Sequence, residues 1–138
     1  MNFLEKTQHK EIGILMLRIS IGVLMLFHGI ANLNSNYAFI KSLLSAKNIP
    51  EFISYGVFLG EIIAPILIII GYRTRLASLA LAFNMLIAIF MAHTSDIFSI
   101  NQYGGWAIEL QALYFFGTVS ILLIGVGKHA VSTNSKWD

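Results

Sequence analysis

The chain has no cysteine, only two prolines, and charged side chains at just 12% of its 138 positions. Without thiols it can make no disulfide, no thiolate metal centre and no iron–sulfur ligation of its own, so any redox role needs a bound cofactor or a quinone. The scarcity of charge accompanies 57% hydrophobic residues and a mean hydropathy of +0.74, which lies outside the soluble range and marks a membrane protein. The net charge of +2 is carried by cations that flank apolar runs instead of clustering on one face. That pattern excludes nucleic acid as a partner and makes the lipid bilayer the first one. The first apolar run exceeds the roughly 7 to 15 residues of a cleavable signal core and no small-residue cleavage site follows it, so it is expected to stay in the mature protein as a membrane anchor.

What is present is a series of four apolar runs, at about 12–33, 52–72, 76–93 and 105–126. Each approaches the roughly 20 residues that cross a hydrocarbon core of about 30 Å. The expected fold is all-α, an integral membrane four-helix bundle forming a single transmembrane domain over 1–138. Between the first two runs, Tyr37, Ile40, Leu43 and Leu44 recur at helical spacing until Pro50, which predicts a short interfacial helix. Residues 1–11 read as a cytoplasmic lead-in, and 127–138 as a polar, basic tail frayed at its end. Lys6, Lys10, Arg73, Arg75, Lys128 and Lys136 fall on one side of the bundle, with only Lys41 and Lys47 on the other, so both termini are expected in the cytoplasm.

The run 52–75 carries Glu61 near its centre, Pro65 one turn later and Gly71-Tyr72-Arg73-Thr74-Arg75 at its close. Measured from each run's middle at about 1.5 Å per residue, Glu61 falls near the midplane and Arg18 several Å toward the cytoplasm, a gap an extended arginine bridges. Two readings share that geometry. In one, Arg18 and Glu61 form a charge-paired strut that offsets the cost of each ion in the membrane. In the other they are a catalytic pair, with Arg18 positioning a substrate carbonyl or anion and Glu61 taking up or releasing a proton. Arg18, Gly22, Met25, Gly29 and Asn32 share one helical stripe with His28 at its edge, and Ser54, Glu61, Pro65 and Tyr72 share another, with a kink expected at Pro65.

A second group, His28, His93 and Glu109, with Asn32 at similar height, falls in the outer third and forms a set of ligand-binding candidates together with Asn84. The bland reading of His28 is a neutral imidazole bonded to Glu109 or to backbone, and that of Asn84 is an interhelical hydrogen bond. The sharper reading is a quinone-head site, since quinone oxygens need a donor such as His28 and an acid such as Glu109. A metal at His28, His93 and Glu109, or a haem between the histidines, is a weaker alternative because no two histidines stand one helical turn apart. Gln111 points away from the face that Glu109 shares with Phe116 and Ser120.

Arg18 with Gly22 and Phe27-His28-Gly29, Gly60-Glu61, Gly71-Tyr72-Arg73-Thr74-Arg75, Met91-Ala92-His93, Glu109-Leu110 and Gly125-Val126-Gly127-Lys128, taken as an ordered set, resemble the DoxX family over about 17–128. The resemblance implies a compact four-helix protein of a bacterial-type inner (plasma) membrane, associated with membrane oxidoreductase systems that include a thiosulfate-to-quinone enzyme. Two function classes follow. One is the membrane subunit of an oxidoreductase with a quinone or small-molecule site and a soluble or membrane redox partner. The other is a non-catalytic scaffold or small-solute or lipid carrier, and either class permits a homo-oligomer.

Overall fold

The computed structural model describes residues 7–138, with side chains from residue 9 onward; Lys6 and the first part of the expected lead-in lie outside the described residues. Helix α1 (Thr7–Asn34) runs 28 residues, about 42 Å at 1.5 Å per residue. Helix α2 (Ala38–Ala46) follows a turn in which Asn36 and Tyr37 take positive φ. The second apolar stretch, Glu51–Ile70, changes pitch along its length: a 3-10 turn (Glu51–Tyr55), a short α3 (Gly56–Phe58), a π turn (Leu59–Ile63) and then α4 (Ala64–Ile70). Helices α5 (Thr74–Ala92) and α6 (Glu109–Ile124) complete the bundle. The expected all-helical membrane architecture is therefore present, and among the described residues the one β pairing is an isolated bridge between Ile100 and Trp106.

Three helical stretches are long and apolar enough to cross a membrane: His9–Asn34, Glu51–Ile70 and Thr74–Ala92. Helix α6 has 16 residues, about 24 Å, and is shorter than the apolar run 105–126. Local turn chemistry trims its start. The Asn101 carboxamide oxygen accepts from the amides of Tyr103 and Gly105, Gly104 adopts a φ of 85°, and the Trp106 indole donates to the Ile97 carbonyl. These bonds hold the chain in a compact loop until Ile108.

Helix α1 packs on α4 and α6, α4 on α5, and α5 on α6, which closes a four-membered ring. Its core is Met25, Ala64, Ile68, Leu81, Met85, Tyr114 and Ile121. The outward faces expose Phe27, Phe83, Phe90 and Leu113, as a surface bathed in lipid requires. The α1 stripe Arg18, Gly22, Met25 and Gly29 is buried as expected, and so are Ser54, Glu61 and Pro65, whereas Tyr72 turns outward.

Pro65 has no N–H to give the carbonyl of Glu61, and the preceding turn widens into a π turn that carries Glu61 on its inner side. The Glu61 carbonyl then packs directly on Gly29, where any Cβ would collide with it. Small residues on α1 thus let the two backbones approach closely. A Gly29→Val variant is expected to lose about 1 to 3 kcal/mol of stability through overpacking, read as a lower melting temperature in mild detergent.

The tail is not frayed. Val131 and Ser132 donate their amides to the carbonyls of Ile70 and Gly71, and Arg75 donates its own to Trp137. The Asp138 carboxylate accepts from the Ser132 hydroxyl at 2.7 Å, the Ser135 amide at 2.8 Å and the Arg73 amide at 3.1 Å. The hydroxyl of Ser132 contributes most; with the two amides and the Arg73 charge it outweighs burial and holds the carboxyl below its ordinary range. Because the folded-state value is depressed, the stabilisation is complete above the unfolded-state value and is lost as pH falls through the folded one. Acidification below about pH 4 should therefore lower the protection of the Arg73 and Arg75 amides against hydrogen exchange, taken relative to the intrinsic rate at each pH, and Asp138→Asn should leave that protection low throughout.

Candidate functional site

Arg18 and Glu61 do not pair. The Arg18 guanidinium, only 1% exposed, donates from Nε to the Ile68 carbonyl, from Nη2 to that of Ile69, and from Nη1 to those of Val126 and His129, all at 2.8 to 2.9 Å. Ile68 and Ile69 lie in the last turn of α4, whose carbonyls have no acceptor role left inside the helix, and the other two follow α6. A cation at converging helix C-terminal ends is also favoured by their dipoles. Arg18 stands opposite residues seven or eight positions beyond Glu61, about 11 Å along the axis, which exceeds what the pair can span. The expectation of a bridge assumed that the middles of the two runs lie at one depth, but α1 meets the second stretch with Gly29 against Glu61 and Gly22 against Pro65 and Ile69, which leaves Arg18 at the far end of α4.

Glu61 joins the outer layer instead. Its Oε2 accepts from Asn32 Nδ2 at 2.6 Å and its Oε1 from Asn84 Nδ2 at 3.4 Å, so the interhelical role expected of Asn84 is directed at the carboxylate. Its hydrogen-bond partners are both neutral carboxamides, and the ion-pair contact His93–Asp96 lies elsewhere. His28 packs edge-on against Tyr114 with ring centroids 5.8 Å apart, and not against Glu109. Tyr37, in the turn after α1, packs edge-on against Tyr55; burial first, then the Glu61 charge and Tyr55, make its phenol a weaker acid than usual.

A cavity of about 530 Å³ opens beside this cluster. Leu43 of α2, Val57 and Leu59 of the second stretch, and Phe83, Ile87 and Met91 of α5 supply much of its apolar wall, while His28, Asn32, Glu61, Asn84 and His93 supply its polar end. A second cavity of about 120 Å³ lies where Glu61, His28 and Asn32 meet Gln111 and Tyr114. His93 borders the larger cavity with its ring held at both nitrogens: Gln111 Nε2 is 3.0 Å from Nε2, and Nδ1 is 3.0 Å from Asp96 Oδ2. Since an amide nitrogen only donates, the neutral ring accepts at Nε2 and carries its proton on Nδ1 toward Asp96.

Glu109 does not belong to this site. It is exposed and receives a 3.4 Å bond from Asn101, because α6 begins at this residue and turns Gln111 and Tyr114 inward instead. The triad of His28, His93 and Glu109 weighed as a metal site is therefore not assembled, and among the described residues no cluster of three such ligands exists. Gln111, Tyr114 and Asp96 are site residues that sequence reasoning passed over. Gln111, Tyr114, Thr118 and Ile121 do follow helical spacing, and Asp96 stands three residues after His93.

The DoxX family model matches residues 13–94, more than half of the chain. The chain belongs to the DoxX family. The match covers α1, the pitch-changing second stretch and α5, and so includes Arg18, Glu61, Asn32, Asn84 and His93 of this DoxX protein. No curated protein and no solved structure matches the chain.

Because Arg18 and Glu61 occupy separate layers, their substitutions should act independently. Arg18→Lys, which loses the planar fork, is expected to cost about 2 to 4 kcal/mol, while Glu61→Gln costs less than about 1. In a double-mutant cycle read by denaturation in detergent, the two should add to within about 0.5 kcal/mol; a coupling well above that would restore the ion-pair strut.

Proposed function

We propose that this DoxX-family protein is the membrane subunit of an oxidoreductase system, and that its larger cavity receives the head of a quinone entering from the bilayer. The carrying observation is the cavity itself: about 530 Å³ of mostly apolar wall ending on Glu61, Asn32, Asn84 and His28. That size and lining, apolar with a few convergent polar groups, is what small-molecule sites have. Asn32 and Asn84 orient the Glu61 carboxyl, His28 offers a ring N–H to a quinone oxygen, and the apolar walls receive the ring and its tail. Reduction of a quinone to a quinol takes two electrons and two protons. In this reading a redox partner subunit supplies the electrons, and Glu61 passes the protons.

In this proposal Arg18 holds helix ends together and takes no part in positioning substrate. The whole of 1–138 acts as one transmembrane unit in a bacterial-type inner membrane. Lys10, Arg73, Arg75, Lys128 and Lys136 gather at the Arg18 end, which supports placing both termini in the cytoplasm.

The test is native mass spectrometry of the protein released from nanodiscs doped with a long-chain quinone. Wild type should retain one quinone. Ala88→Trp, which fills the space where both cavities meet, should lose it without a change in helicity, and Glu61→Gln should weaken retention by about tenfold. Retention of phospholipid alone would favour a lipid carrier, and retention unaffected by Ala88→Trp would refute this cavity as the site.

A further inference from the structure

We infer that His93 is the group through which Glu61 exchanges protons with water, and that exchange occurs at one face of the protein only, that of the loop 94–108. The inference rests on the reading of Glu61 as a proton-handling carboxyl, but not on the identity of any ligand.

Three observations carry it. Glu61 and His93 border the same cavity of about 530 Å³, and the second cavity of about 120 Å³ lies where Glu61 approaches Gln111, the residue bonded to His93. A water takes about 30 Å³, so the smaller space and the polar end of the larger one, lined by Glu61, Asn32, His28 and His93, have room for several between the two side chains. Next, the His93–Asp96 dyad stands at the boundary between cavity and solvent, its side chains 32% and 41% exposed. For release, Nε2 exchanges the Gln111 bond for an inner water and takes its proton while Nδ1–H passes to Asp96; uptake is the reverse, Asp96 returning a proton to Nδ1 as Nε2–H is given inward. Gln111 is a positioning residue: it sets which nitrogen of His93 faces inward.

The third observation is that the opposite end is shut. Beyond Glu61 the bundle is filled by Met25, Ala64, Ile68, Leu81 and Ile121, and behind them Arg18 is a fixed cation bonded on every side to carbonyls. A packed core whose buried polar groups include only small hydroxyls such as Ser78 and Thr118, followed by a positive charge, is a barrier to protons, as in pores that use an arginine for that purpose. The titratable groups facing Glu61 are His28 from α1, Tyr37 before α2, His93 at the end of α5, and Tyr114 from α6; Tyr55 faces Tyr37, and Asp96 faces His93.

The experiment uses the full chain in liposomes of one known orientation, with inner and outer pH set separately. Glu61 is labelled with dicyclohexylcarbodiimide, an apolar reagent that attacks protonated carboxyls, in a pulse shorter than proton leak across the vesicle. Labelling is counted by peptide mass spectrometry, with Glu61→Gln as the blank. Acid on the side of the loop 94–108 should raise labelling by about tenfold or more, and acid on the tail side should leave it unchanged. His93→Phe should abolish the response and Gln111→Leu should blunt it, while Gln111→Glu, which still bonds the ring, should keep it. If His93→Phe does not fold, the Gln111 pair decides alone. An equal response to both sides, an undiminished response in His93→Phe or in Gln111→Leu, or no labelling at any pH would overturn the inference. None of these outcomes depends on quinone retention, so the two readings can fail separately.

Discussion

The structure depends on one buried guanidinium. A cation in an apolar bundle costs several kcal/mol unless its donors are matched, and Arg18 meets that demand with neutral carbonyls instead of an anion. The carbonyls come from two chain segments that end abruptly. Gly71, at a φ of 76°, stops α4, and Gly125, at 89°, stops α6, so the oxygens left over at both ends turn toward one point. The tail closes over the same place through its bonds to Ile70 and Gly71. Helix ends that would otherwise need water are satisfied within the protein.

Because Arg18 is spent in this way, Glu61 is left with neutral partners only. Two carboxamides hold it, aromatic and aliphatic side chains surround it, and the π turn aims it at the space between α1, α2 and α5. A carboxyl in that setting is held by neutral carboxamides and not by an ion pair. The separation of a closed, cationic end from an open, polar one gives the bundle an internal direction that its near-uniform hydropathy conceals.

Much of this was legible in the sequence. Hydropathy and the cation pattern were enough for an all-helical membrane bundle, and the spacing of Arg18, Gly22, Met25 and Gly29 marked the inward face of α1. Register between helices was not legible, because it depends on where each helix begins and on pitch. Helix α1 sets Gly29, well past its own middle, against Glu61, and the π turn puts an extra residue into the second stretch, so depths counted from the middle of each run do not place Glu61 against Arg18. The swap between Glu109 and Gln111 has the same origin, since the compact loop delays α6 until Glu109 and rotates the next turn inward. The tail was misread for another reason: its contacts are largely backbone bonds and one carboxylate, to which hydropathy is blind.

The partners of Arg18 are far apart in the chain, with Val126 and His129 lying 108 and 111 residues beyond it. At ribosomal speeds of about 5 to 20 residues per second, some 5 to 20 s separate the synthesis of the arginine from that of its last acceptors. During that interval the nascent first helix carries an incompletely matched charge, and it must wait in the insertion machinery or near the headgroups. Biogenesis is thus ordered by the residue that is made early and satisfied last, and bundle closure is a step that follows the synthesis of Val126 and His129.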